Sequence, residues 1–125
     1  MITGRVNRRY EAVITITLTS LATREYHHFP AVIDTGLDHF LTLPREVILR
    51  LGYPISNETR PMVLADGQRR VFEEAVVGAF WDGAPKAVPA LVSESETLVG
   101  ARLLAGYYLG AAMLPGGLVT LTKLP

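Results

Sequence analysis

Ala31-Val32-Ile33-Asp34-Thr35-Gly36 runs from an apolar segment into a tight turn. It is a short apolar, β-branched run that ends in a carboxylate, a hydroxyl and a glycine. Val and Ile favour an extended backbone, and Gly permits the tight turn that follows. An aspartate at the end of an apolar strand is an unusual placement. A carboxylate there must be hydrogen-bonded, paired or made to share a proton. One chemistry that uses such a group is activation of water by two carboxylates holding one proton between them. The chain has a single Asp-Thr-Gly, so a second carboxylate of this kind would come from a second copy of the chain.

Upstream of this stretch, Glu11 to Ser20 alternates, with Ala12, Ile14, Ile16 and Leu18 on one face and Val13, Thr15, Thr17 and Thr19 on the other. That is a strand with one buried face. Leu21 to Arg24 reads as a turn, and Tyr26 to Ile33 as the returning strand that delivers Asp34. Pro30 places part of that strand at an edge or a bulge. Downstream, Phe40 to Leu43 is short and apolar. Pro44 before Arg45–Leu51 and Gly52 after it mark a short helix, with Val47, Ile48 and Leu51 on one face and Glu46 and Arg50 as an outward pair.

Asn57 to Arg60 is a polar loop. Pro61–Leu64 and Arg69–Phe72 flank Ala65-Asp66-Gly67-Gln68, a strong hairpin signal, and the second arm runs on toward Trp81. A turn over Asp82–Pro85 leads to a strand from Lys86 to Ser93. After polar Ser93–Thr97 come Leu98-Val99-Gly100 and a helical turn or two over Ala101–Ala105. Tyr107–Met113 reads as extended, Pro115-Gly116-Gly117 as a turn, and Leu118–Lys123 as a final strand. Strands dominate, with turns every eight to twelve residues, which predicts an all-β, closed or partly closed small barrel in one domain spanning residues 1–125.

Composition narrows the function. Of 125 residues, 49% are apolar and 19% charged, enough to build a core and too apolar for a disordered chain. Twelve Lys and Arg balance twelve Asp and Glu, so there is no basic excess of the kind a nucleic-acid binder needs. Arg5, Arg8 and Arg9 read as a solvated strand surface. The chain has no cysteine, which excludes disulfides, thiolate nucleophiles and cysteine-based zinc sites. Met1–Arg5 lacks the apolar core of a secretory signal, and together with the absence of cysteine this fits a cytoplasmic protein. The most apolar stretch, Leu98–Leu114, is interrupted by Gly100, Arg102, Gly106 and Gly110 and reads as buried core rather than a membrane span.

The order of an apolar strand, Asp34-Thr35-Gly36, a hairpin near Asp66-Gly67, then Leu98-Val99-Gly100 and a short helix resembles the retropepsin-like aspartic proteases. The likeness extends from about Glu11 to Lys123. It is nearest to the small prokaryotic members, which carry a Thr-Leu-Pro and a short helix soon after Asp-Thr-Gly, as Thr42-Leu43-Pro44 does here. The resemblance implies a retropepsin-like barrel with a flap hairpin and one or two short helices. It also implies a homodimer with an Asp34 dyad that hydrolyses a peptide or protein substrate without a cofactor. Thr35 would hydrogen-bond across the dimer axis, and Gly36 would let backbone approach the substrate. Leu37, Asp38, Ala65, Asp66, Gly67 and Val99 are the substrate-binding positions it implies, with Asp66 and Gly67 at the flap tip.

Two departures stand out. Leu37 replaces the Ala or Ser usual in active relatives. Ala101 stands where the viral enzymes have Arg, and Arg102 comes one residue later, so the resemblance does not carry over a brace between Asp38 and Arg102. The alternative from another class is a catalytically silent module that keeps the fold for dimerisation or peptide binding. A metal site from His27, His28 and His39 with Asp34 and Asp38 is the weaker reading, because adjacent histidines in a strand point to opposite faces. Tyr107, Tyr108 and Trp81 read as core or interface residues rather than a nucleic-acid stacking platform.

Overall fold

The computed structural model describes residues 1–125. In chain order the elements are β1 (Ile2–Val6), β2 (Ala12–Thr19), β3 (Tyr26–Asp34), β4 (Leu41–Pro44), α1 (Arg45–Arg50), β5 (Thr59–Val63), β6 (Arg69–Trp81), β7 (Ala84–Ser93), β8 (Leu98–Gly100), α2 (Ala101–Leu104), β9 (Tyr107–Ala111) and β10 (Leu118–Lys123). The alternation seen in the sequence becomes the inside and outside of a sheet. Ile14, Ile16 and Leu18 of β2 are fully buried, and so are Val77 of β6 and Val88 of β7.

The strands form one sheet in the order β5-β6-β7-β4-β8-β3-β2-β1-β10-β9, and a further pairing of β6 with β2 closes part of it on itself. The closed part is a six-stranded barrel, β6-β7-β4-β8-β3-β2. Its seam is the antiparallel register Thr17↔Phe80 and Leu18↔Ala79. Closure removes the free edges that an open sheet would expose. A cluster of 23 buried residues fills the interior and the space under α1 and α2.

β6 has two jobs. Arg69–Glu73 pairs with β5 as the flap hairpin, and Glu74–Trp81 pairs with β7 as barrel wall. The flap tip is a three-residue connection in which the Leu64 N–H donates to the Gln68 carbonyl at 2.8 Å and Gly67 takes φ +83. That left-handed position is where glycine is needed.

Four details differ from expectation. The connection from β6 to β7 is only Asp82-Gly83, with φ 47 and 83, so Ala84 already pairs with Trp81 and Pro85 with Phe80. Two consecutive positive φ angles make the tight hairpin whose twist matches its strands, and β7 therefore starts earlier than Lys86. Thr59 and Arg60, read as the end of a polar loop, already belong to β5, opposite Glu73 and Phe72. The extended stretch that starts at Tyr107 stops at Ala111 rather than Met113. The run Leu98–Leu114 is core only in its first half. Val99, Leu103 and Leu104 are buried, whereas Tyr108, Met113 and Leu114 are exposed, because β9 is the outermost strand of the sheet and nothing in the chain covers its far side. Pro30 meets its expectation at an edge. β8 pairs only with Val32–Asp34, leaving the Tyr26–Ala31 part of β3 open on that side. No helix is long and apolar enough to cross a membrane.

Candidate functional site

β3 ends at Asp34, and its last residues lie parallel to β8 in the register Val32↔Leu98, Ile33↔Val99 and Asp34↔Gly100. β8 is also antiparallel to β4, with Leu41 opposite Val99. The loop between Asp34 and β4 must therefore arch over β8 at close range. Gly100 makes room for it. A Cβ built on Gly100 would lie 2.1 Å from the His39 carbonyl oxygen. Three backbone bonds lash the crossing: Gly100 N–H to the Phe40 carbonyl at 3.0 Å, Ala101 N–H to that of Leu37 at 2.9 Å, and Arg102 N–H to that of His39 at 3.1 Å.

Within the loop the Gly36 N–H donates to Asp34 Oδ1 at 3.0 Å. The Leu37 N–H donates to the Asp34 backbone carbonyl at 3.2 Å. The carboxylate is thereby held by its own turn, half-buried, at the wall of a cleft of about 1010 Å³. Asp34, Gly36, Leu37 and Asp38 line one side. The flap arms at Met62–Ala65 and Arg70–Glu73 line another, and α1 and the loop from Ser93 to Glu96 complete it. Leu98 of β8 also faces this cleft.

The positions named from the sequence thus divide. Asp34, Gly36, Leu37, Asp38 and Ala65 meet in one cleft. Thr35 is exposed at the turn beside it. Asp66 and Gly67 sit at the exposed flap tip, outside the cleft wall, where Asp66 Oδ1 accepts the Gln68 N–H at 2.9 Å. Val99 is fully buried in the core. Its neighbour Leu98 opens on the cleft instead, since successive side chains of a strand alternate sides. The brace between Asp38 and Arg102 exists after all: Arg102 Nε donates to Asp38 Oδ1 at 2.8 Å. The one-residue displacement is absorbed because Arg102 lies in the short helix α2, from which its long side chain reaches the loop. No cluster of three or more metal-ligating side chains forms. His28 Nδ1 instead meets the Thr17 hydroxyl at 2.8 Å.

A polar chain beside the cleft was not read from the sequence. His39, 4% exposed, has Nε2 at 3.0 Å from Glu74 Oε2. The same carboxylate receives Arg60 Nε at 2.7 Å. Burial alone would raise the Glu74 carboxyl, but the bonds from Arg60 and His39 and their positive charge outweigh it and hold the carboxyl below its ordinary range. Half of this chain was legible. Counting back from the turn puts Arg60 opposite Phe72, diagonal to Glu74, a spacing at which opposite charges across a hairpin meet. His39 lies 35 residues from Glu74, and no local spacing points to it.

Comparison with solved structures matches this architecture to a retropepsin-like aspartic protease from Rickettsia conorii. The TM-score is 0.53 at 16% identity, over 99% of this chain and 92% of that one. The fold of the present chain is therefore retropepsin-like, an all-β closed barrel with a flap hairpin. At that identity the likeness is one of fold. No protein-family model matches the chain, and no curated protein matches it significantly.

Proposed function

We propose that the chain is an aspartic endopeptidase acting as a homodimer, with water activated between the two Asp34 carboxylates. The observation that carries this reading is the place of Asp34: the end of an apolar strand, held by its own turn, at the wall of a flap-roofed cleft. Within one chain Asp38, the nearest carboxylate in sequence, is engaged by Arg102. A second copy related by a two-fold axis between the Asp34-Thr35-Gly36 loops supplies the missing group, in an isologous interface. Thr35, exposed in the single chain, then meets its counterpart across that axis.

In the dimer two carboxylates in contact share one proton. The ionised member takes a proton from water as the oxygen attacks the scissile carbonyl carbon, and the protonated member donates to the carbonyl oxygen. The resulting tetrahedral diol collapses as the C–N bond breaks and the amine leaves with a proton. Gly36, with no side chain, leaves space for substrate backbone beside the carboxylates, and the flap closes from the opposite side.

The test is Asp34→Asn, nearly isosteric but unable to act as the base. It should abolish hydrolysis of a cleaved peptide while sedimentation equilibrium at micromolar concentration still gives a dimer. A clean wild-type monomer, or full activity in Asp34→Asn, refutes the proposal. A wild-type dimer that binds peptides without cleaving them would establish the silent module instead.

A further inference from the structure

Glu74 occupies the point where the flap joins the barrel. Residues up to Glu73 pair with β5, and from Glu74 onward β6 pairs with β7. The Glu74 backbone carbonyl also accepts the Ser56 N–H at 2.9 Å, just before the first flap arm. Its side chain has two donors from two other parts of the molecule. Arg60, on the first flap arm, reaches it with Nε at 2.7 Å and a second nitrogen at 3.5 Å. His39, on the loop that begins at Asp34, reaches it with Nε2 at 3.0 Å. The His39 carbonyl meanwhile accepts the Arg102 N–H on the far side of that loop. One carboxylate therefore joins the Asp34 loop, the flap hinge and the flap arm.

His39 takes no part in the proposed activation of water; its buried ring packs edge-on to Phe40, with centroids 5.9 Å apart. Its Nδ1 is buried without a partner, which an apolar residue would avoid. The one side-chain bond of the ring is the one its Nε2 makes to Glu74. An ionised carboxylate only accepts, so Nε2 is the donor in this bond. The neighbouring charges are occupied elsewhere: Glu73 pairs with Arg45, and Asp38 with Arg102.

We infer that His39 is a positioning residue: through Glu74 and Arg60 it sets the angle of the flap over the Asp34 cleft. The inference rests on the flap-and-cleft reading above. Peptide contacts made by a correctly placed flap hold substrate in ground state and transition state alike, so loss of the link raises KM more than it lowers kcat.

The experiment compares wild type with His39→Leu, His39→Gln and Arg60→Met, by amide hydrogen exchange and by steady-state hydrolysis of one cleaved peptide. Glutamine places an amide donor near the position of Nε2, and leucine places none. In His39→Leu and Arg60→Met the amides of Thr59–Glu73 should exchange about ten-fold faster, the scale of one hydrogen bond to a charged group. The β1–β10 amides should be unchanged. KM should rise by a similar factor, and His39→Gln should return both readouts toward wild type. Flap exchange that is unaltered in His39→Leu overturns the inference whatever Arg60→Met does, as does failure of His39→Gln to rescue. Should His39→Leu not fold, His39→Phe, a ring of similar shape with no donor, carries the same test. Should the wild type cleave no peptide, the peptidase reading fails, while the exchange measurement still decides the positioning role.

Discussion

Replacing Gly100 by alanine adds one methyl group where the Asp34 loop crosses β8. The added Cβ would lie 2.1 Å from the His39 carbonyl oxygen, 2.9 Å from its carbon and 3.0 Å from the Leu37 carbonyl oxygen. All three neighbours are backbone, so no side chain can swing away. The loop must retreat by roughly 1 Å to reach ordinary van der Waals separation. The retreat stretches the bonds from Gly100 to Phe40, Ala101 to Leu37 and Arg102 to His39. Overpacking of this kind costs about 1–3 kcal/mol, and weakening the lashing adds about 1 kcal/mol for each bond effectively lost. Gly100 has φ −90 and ψ 172, ordinary extended backbone, so alanine also gains about 0.4–1 kcal/mol from its stiffer unfolded chain. The net expectation is a loss on the order of 2 kcal/mol or more for alanine, and more for valine. Urea denaturation followed by circular dichroism should show a lower midpoint at unchanged slope. The thermal midpoint should fall by roughly 8 °C or more, at about 4 °C per kcal/mol for a domain of this size. A Gly100→Ala protein with wild-type midpoints would refute the close crossing.

Asp66→Asn should leave fold and activity nearly intact, because asparagine suits the same turn and can accept the Gln68 N–H; circular dichroism and a peptide assay check this. Peptide hydrolysis should peak between about pH 4 and 6.5, on the side of the less acidic dyads, since Leu37 beside Asp34 offers no donor to support the charged pair. An optimum near pH 2 would refute that role of Leu37, and Leu37→Ser should move a mild optimum downward. The Glu74 carboxyl lies below its ordinary value of 4.5, so its stabilising contribution is full above that pH and is lost as pH falls through the lowered folded value. Glu74→Gln should therefore cost stability at pH 7 and flatten the acid limb below about pH 4.5, as read from urea midpoints across pH. An acid limb identical to wild type would count against the bond network at the flap hinge.

Much of this architecture is legible in the residues alone. Alternation in Ala12–Thr19, the β-branched run into Asp34, the helix between Pro44 and Gly52 and the Asp-Gly hairpins are short-range effects, set by local backbone preference and by which face is apolar. The ordered motifs, Asp34-Thr35-Gly36 and Leu98-Val99-Gly100, carried the fold because each end of the β8 crossing has its own signature. Errors fell where neighbours in space decide the outcome. The outer half of Leu98–Leu114 is as apolar as the inner half, and only its place at the sheet edge exposes it. Val99 and Leu98 are equally apolar, and only the direction of β8 decides which one meets the cleft.

The inventory of strands, the single carboxylate at the end of β3 and the glycine that lets the chain cross behind it follow from residue type and near neighbours. The Asp38–Arg102 brace and the His39–Glu74–Arg60 link arise from the closed fold. Their partners lie 64 residues apart in the first and 35 and 14 apart in the second. A hydrogen bond depends on separation in space to a fraction of an ångström, and the closing of the barrel, not the order of residues, sets that separation.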